Sequence, residues 1–309
     1  MFRFFDKETS FDFMGKRWLG FAVSGAMVCA SLFFIGVHGF NWGIDFTGGV
    51  LMEVRTEQPA DLGKLRPLLP EKEFGEVSMQ LFGDVHEVMI RMGLEEGADQ
   101  AALIEQAKAK FAAAGVKVEY RKIDYVGPVV GRELIEGGII SLVLALLGIM
   151  AYVWFRFEWQ FGLGGVLALA HDLVFTLGFY AFSGYEFGLT AIAALLTILG
   201  YSINDSVVLF DRVRELRRKY KKMPVEELLN RSINMNLGRT LMTSCTVMLA
   251  SLALVLVGGE VLRSFAGAIL FGLIAGTYSS IYISVPVLIY FKLGEAKEEE
   301  ADKTLAARG

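Results

Sequence analysis

Residues 187–212 read FGLTAIAALLTILGYSINDSVVLFDR. From 187 to 210 the only side chain charged at neutral pH is Asp205. A bilayer core is about 30 Å thick and needs about 20 apolar residues of helix to cross it. The stretch is long enough to be such a span. A carboxylate inside a span costs a few kcal/mol or more unless it faces other helices. At helical spacing Thr197, Tyr201, Ser202, Asp205 and Arg212 fall on one stripe, and the rest of the span is apolar. The stripe is therefore expected to face a bundle interior, not lipid.

Five more uncharged or nearly uncharged runs flank this one: 18–37, 137–155, 159–182 (interrupted by His171 and Asp172), 240–259 and 264–291. Six spans place both ends of the chain on one side. The first run is longer than the roughly 7–15 residues of a signal-peptide core, and no small-x-small cleavage site follows it, so it is expected to stay as an anchor. Lys and Arg concentrate in the N-terminal segment and in residues 212–231, whereas the opposite loops are poor in them. By the positive-inside rule both termini and the basic loop are expected in the cytoplasm. The large segment after the first span is then extracytoplasmic.

Over the 309 residues, 54% are hydrophobic and 21% charged, an unremarkable average whose uneven distribution carries the signal. The formal charge of −4 provides no basic field for nucleic acid. Cys29 and Cys245 both lie in apolar runs, which excludes a disulfide framework and a cysteine metal site. There is no GxxxxGK[ST], HExxH or CxxC, and no cofactor or metal is expected.

Between the first two spans, residues 50–56, 76–82, 86–92 and 116–125 read as strands, three of them alternating apolar and polar side chains. Gly83-Asp84 suits a turn. Residues 61–69 and 99–113 read as helices, with Gly115 as a C-cap for the second. Strand, helix, strand, strand, helix, strand is the split βαβ order. The expected fold class is a membrane α-helical protein of six transmembrane helices with an inserted α+β, ferredoxin-like periplasmic domain. The expected organisation is an N-terminus and first span over 1–37, the insert over 38–133, spans two to six over 134–292, and a charged cytoplasmic tail over 293–309.

A second polar stripe opens the fifth span, where Asn236, Arg239, Thr243 and Thr246 share one face. The fourth and fifth spans are antiparallel, so both stripes fall in the same half of the membrane and an Asp205–Arg239 contact is geometrically open. Burial favours a neutral carboxyl and a nearby Arg a charged one, so Asp205 suits a protonatable switch. His171 and Asp172, near mid-membrane, are sequence neighbours that point in different directions and form no obvious dyad. They and Asn204 are auxiliary candidates for the proton path. Near the first span, Asp45, Gly48 and Gly49 fit a tight turn between membrane and sheet, with Asp45 as its cap.

Three segments carry a family resemblance. Trp42-Gly43-Ile44-Asp45-Phe46-Thr47-Gly48-Gly49 resembles the motif that opens the periplasmic region of SecF proteins, a family of bacterial protein-export membrane proteins. NDSVVLFDRVRE (204–215) is similar to the family's fourth-span motif, and SINMNLGRTLMTSCT (232–246) to its fifth, with Gly238 as a local departure. The resemblance implies a place in the resistance-nodulation-division superfamily and pairing with a SecD-like six-span partner. It implies association with the SecYEG channel and the SecA motor, and use of the proton gradient to move or release preproteins. Carried over, the proton-relay residues fall on Asp205 and Arg239, with Thr243 one turn along. The chain is then a transport subunit, not a chemical catalyst. A small-molecule efflux subunit and a scaffold without proton conduction are the alternatives.

Overall fold

The structure is a computed structural model that describes residues 9–75, 77–93, 100–291 and 293. In chain order its elements begin with α1 (Arg17–His38), β1 (Asn41–Trp42), α2 (Ile44–Thr47), β2 (Gly49–Thr56), α3 (Leu62–Leu65) and α4 (Glu71–Phe74). They continue with β3 (Val77–Phe82), β4 (Asp84–Met92), α5 (Gln100–Ala113) and β5 (Val118–Val126). The chain ends in α6 (Pro128–Arg156), α7 (Trp159–Ser183), β6 (Glu186–Phe187), α8 (Leu189–Lys219), α9 (Val225–Val257) and α10 (Gly259–Ser279). Among the described residues, six helices are long and apolar enough to cross a membrane. Nearly all of the charged tail expected at 293–309 lies outside the described residues, as do residues 1–8.

The helices outrun the apolar runs. α8 continues past residue 210 to Lys219, and α9 begins at Val225, well before residue 240. Hydropathy marks the membrane slab, whereas these extensions are amphipathic helix. Leu228, Leu229, Ile233 and Leu237 bury one face while Glu226 and Glu227 occupy the first turn. The loop expected at 259–263 is helical, and Gly258 alone separates α9 from α10. α10 then passes into a π-helical turn over Ser280–Ser284 and a 3-10 turn over Pro286–Ile289. Pro286 lacks an N–H and clashes with the preceding turn of an α-helix, so the ladder changes pitch before it.

α7, α8 and α10 form the centre of the bundle. In the last span 67% of the apolar window is buried, against 11% in α6. Small residues let the central helices close up: a side chain at Gly178 would overlap Ser31 of α1, and one at Gly272 would overlap Ile198 of α8. Phe271 stacks between Phe175 and Phe179, with ring centroids 4.4 and 4.6 Å away. At one end of the bundle Phe13, Phe157, Phe161, Phe210, Leu229 and Leu293 pack as one cluster, so both described chain ends lie there. This is the basic end, carrying Arg156, Arg212 and Arg217. The insert sits at the other end.

The insert is a four-stranded sheet in the order β3-β4-β2-β5, every neighbouring pair antiparallel. Val50, Met52 and Val54 of β2 point to one face and pack with Leu65, Leu69, Phe74, Ala107 and Phe111. Gly83 makes the β3–β4 turn at φ 74° and Gly115 follows α5 at φ 68°, both as expected. The helix expected over 61–69 is a single α turn followed by a 3-10 turn, because Pro67 and Pro70 interrupt it. The sheet is fastened to the bundle by the parallel β1–β6 ladder, Asn41↔Glu186 and Trp42↔Phe187. Phe40, Trp42, Phe46 and Tyr180 surround Phe187 at 4.9–6.1 Å.

Candidate functional site

α8 turns Ser202, Asp205 and Ser206 inward, all three buried. One Asp205 oxygen, Oδ1, accepts a 2.7 Å hydrogen bond from Thr240 Oγ1 of α9. The other, Oδ2, is buried and takes no hydrogen bond from the described residues. Ser280, the first residue of the π-helical turn, stands beside the carboxylate with its hydroxyl 3.2 Å from Ser206 Oγ. Asp205 is thus enclosed by α8, α9 and the end of α10.

Arg239 does not form an ion pair with Asp205 at 4.0 Å or less; its charge reaches the carboxylate only through space. Residues 239 and 240 point about 100° apart on a helix, and the one turned to α8 is Thr240. Arg239 instead lines a cleft of about 270 Å³ at the basic end, with Asn236, Asp211, Arg212 and Glu215. Thr243 is exposed, and its hydroxyl donates to the carbonyls of Arg239 (3.0 Å) and Thr240 (3.1 Å) in its own helix. Asn204 and Thr197 lie on the outer face of α8, so the inward stripe is narrower than helical spacing alone suggests. Thr240 was legible only as the first residue of an apolar run. Ser279 and Ser280 gave no signal, because hydroxyls pass unnoticed in hydrophobic stretches.

His171 and Asp172 do form a pair, contrary to the expectation from their positions. Nδ1 of His171 lies 3.0 Å from Asp172 Oδ1, in surroundings closed to solvent. Adjacent side chains on a helix diverge at Cβ, but an imidazole is long enough to turn back, and a buried carboxylate gains by any donor in reach. Asp172 Oδ2 accepts from Ser202 Oγ at 2.6 Å and Ser279 Oγ at 2.8 Å.

At the insert end, Asp45 caps something more distant than its own turn. Its Oδ2 accepts from the backbone N–H of Leu189 at 2.8 Å, the first residue of α8. That N–H has no partner within the helix, and the carboxylate also faces the positive end of the dipole. Gly48 ends α2 at φ 69°, and Gly49 starts β2 at φ 121°. A Cβ on Gly49 would overlap the Met92 carbonyl oxygen. Arg91 of β4 donates to Asn41 Oδ1 (2.6 Å) and pairs with Glu186 (3.0 Å), which clamps the sheet to the β1–β6 ladder. Between the outer sheet face and the bundle lies a cleft of about 680 Å³, lined by Asp45, Glu53, Met89, Lys122, Asp124 and Glu186 among others. Burial pushes the Glu53 carboxyl up from its ordinary value, and its hydrogen bond to Asp124 pushes Lys122 up.

Comparison with known proteins places this arrangement. Residues 106–294 match the family model "Protein export membrane protein SecD/SecF, C-terminal", and residues 33–60 match the "SecD/SecF GG Motif", which covers Gly48 and Gly49. The protein translocase subunit SecF of Rickettsia akari is 47% identical over 290 residues, 94% of this chain and 94% of that protein. The SecF of Rickettsia prowazekii is 45% identical over 94% of this chain and 93% of its own length. The crystal structure of SecDF, a translocon-associated membrane protein from Thermus thermophilus, superposes with a TM-score of 0.84 at 37% identity over 94% of this chain. This chain spans 40% of that longer one. A SecDF crystal structure in the super-membrane-facing form gives a TM-score of 0.70 over 97% of this chain and 41% of the other. The chain belongs to the SecF family of protein translocase subunits.

Proposed function

We propose that this chain couples inward proton movement to the export of preproteins by the Sec machinery, with Asp205 as the group that takes and releases the proton. The observation that carries the reading is the Asp205 carboxylate, enclosed by three helices, one oxygen held by Thr240 and the other, among the described residues, without a hydrogen-bond partner. The cleft containing Arg239, Asp211 and Glu215 opens nearby towards the basic end and supplies the route to the cytoplasm. Arg239 keeps its charge, so each protonation of Asp205 changes the attraction between α8 and α9. Thr243, one turn beyond Arg239, orients that stretch of α9 through its carbonyls. One proton crossing 100 mV releases about 2.3 kcal/mol, which biases a two-state packing equilibrium roughly fifty-fold.

In this reading the protein lies in a bacterial inner membrane, with both termini cytoplasmic. The four-stranded insert is a ferredoxin-like domain on the periplasmic side, where the preprotein emerges. A SecD-like six-span partner completes the bundle, and the pair works beside the SecYEG channel and the SecA motor.

The test is proton flux and preprotein export in vesicles that contain the whole assembly. Asp205→Asn keeps the shape and the Thr240 contact but carries no titrating proton. Both activities should fall to background while the assembly still copurifies. Normal proton-dependent export by that variant overturns the reading.

A further inference from the structure

Asp172 has no part in the relay just described, yet it is a carboxylate with no exposed surface inside the bundle. Among the described residues its sole ion-pair partner is His171, through Oδ1. Oδ2 accepts from Ser202 of α8 and Ser279 of α10. The far nitrogen of His171, Nε2, is buried and, among the described residues, has no hydrogen-bond partner; the ring stacks on Phe175 and faces Tyr278. Tyr278 turns its hydroxyl away, to Gly20 O at 2.6 Å and towards Ser24 of α1.

Two features set this cluster apart from a fixed polar plug. The Ser279 hydroxyl has a second acceptor, Gly276 O at 3.1 Å. When Asp172 gains a proton, that hydroxyl can turn to Gly276, and the new carboxyl O–H then donates to Ser279 Oγ. The site thus satisfies its hydrogen bonds in both charge states. The cluster also shares its supports with Asp205. Ser202 and Asp205 stand one turn apart on α8. Ser279 serves Asp172, while the next residue, Ser280, stands beside Asp205 at the start of the π-helical turn. Such turns often mark functional sites.

We infer that Asp172 is a second proton-binding site, coupled to Asp205 through Ser202, Ser279 and Ser280, with His171 holding its other oxygen. The inference rests on Asp205 carrying protons. The groups that face Asp172 are His171 from its own helix, Ser202 from α8, and Ser279 with Tyr278 beyond His171 from α10. Asp205 is the nearest carboxylate along α8, and Arg239 lies on α9 behind it. Two carboxylates so placed repel when both are ionised, so a proton on one lowers the proton affinity demanded of the other, and the pair titrates as a unit.

The test uses the full chain with its six-span partner in lipid vesicles. Infrared difference spectra between acid and alkaline pH read the carbonyl stretch of each buried carboxyl. Two titrating bands are expected, one lost in Asp172→Asn and the other in Asp205→Asn, each loss shifting the midpoint of the band that remains. Proton flux of Asp172→Asn should fall by about a hundredfold, the lower range for loss of a proton-transfer group. Ser279→Ala keeps both carboxylates and should shift the Asp172 band most and, through the coupling, the Asp205 band less, which reads the site even if Asp172→Asn fails to assemble. A single band, lost in Asp205→Asn and indifferent to Asp172→Asn and Ser279→Ala, overturns the inference and leaves the Asp205 reading intact. Normal flux in Asp205→Asn overturns that earlier reading, and the band count still decides Asp172.

Discussion

Asp45 and Gly49 sit four residues apart and fail in different ways when changed. Asp45 stabilises the start of α8 by accepting one backbone N–H. Asp45→Ala should destabilise by about 1 kcal/mol, the usual worth of such a cap, and Asp45→Asn should recover most of it. Hydrogen exchange at the amides of residues 189–191 is the measurement, and unchanged protection in Asp45→Ala refutes the assignment. Gly49 holds φ 121° against the Met92 carbonyl, so Gly49→Ala meets both backbone strain and overlap. The strain alone is on the order of 1–3 kcal/mol, and the expected outcome is a larger loss of thermal stability than Asp45→Ala causes. Both residues stand out in the sequence as a Gly-rich turn with an acid. The object Asp45 caps did not, because its partner lies 144 positions away and no local pattern encodes that distance.

At the level of elements, α9 is held by the chain's own N-terminal segment. Asn234 Oδ1 accepts from Phe11 N (2.9 Å) and Asn234 Nδ2 donates to Phe11 O (2.8 Å), so one amide reads both backbone groups of a single residue. Asn230 Oδ1 accepts from Phe13 N at 2.8 Å, and Phe13 inserts into the core at the basic end. The strap thereby fixes the lower part of the helix that carries Arg239 and Thr240. Asn234→Ala should free residues 9–14 and cost about 1–2 kcal/mol, roughly one net unit per lost hydrogen bond. Faster hydrogen exchange across 9–14 with the rest of α9 unchanged is the expected signature; a change confined to α9 would contradict it. The six spans and the four strands were legible, because periodicity and hydrophobic length report directly on burial. Helix ends beyond the membrane slab, the π-helical turn and the serines around Asp172 were not. These depend on which neighbour a side chain meets, and a hydroxyl looks the same in sequence whether it lines a site or merely bonds back to its own helix. The His171–Asp172 pair was missed for a related reason: spacing predicts where a Cβ points, not where a long side chain ends.

For the whole molecule, the cleft between sheet and bundle ties stability to pH. Burial raises the Glu53 carboxyl above its ordinary value, Lys122 opposes the shift, and Asp124, Glu186 and Glu87 add to it. A carboxyl raised in the folded state binds its proton more tightly there than in the unfolded chain. Its contribution is fully present below the ordinary value of 4.5 and is lost as pH rises through the folded one. Glu53→Gln should therefore raise the melting temperature slightly at neutral pH, and the difference should vanish on acidification; a gain that persists in acid refutes the cause. The outer surface makes a second demand. Arg239, Thr243 and Thr246 are exposed on α9, and the same face continues through Ala250, Ala253 and Val257. An arginine and two threonines are poorly suited to lipid, whereas small residues at this spacing suit close approach of another helix. Cys245 is exposed as well, but it lies about 100° round the helix from Thr246. With a SecD-like partner coexpressed, Thr246→Cys paired with single cysteines on the partner's spans should give disulfide cross-links under mild oxidation, and the unsubstituted chain, through Cys245, should give few. Equal cross-linking from both positions would mean that α9 meets its partner on a different face, and Arg239 would then need another source of cover within the bilayer.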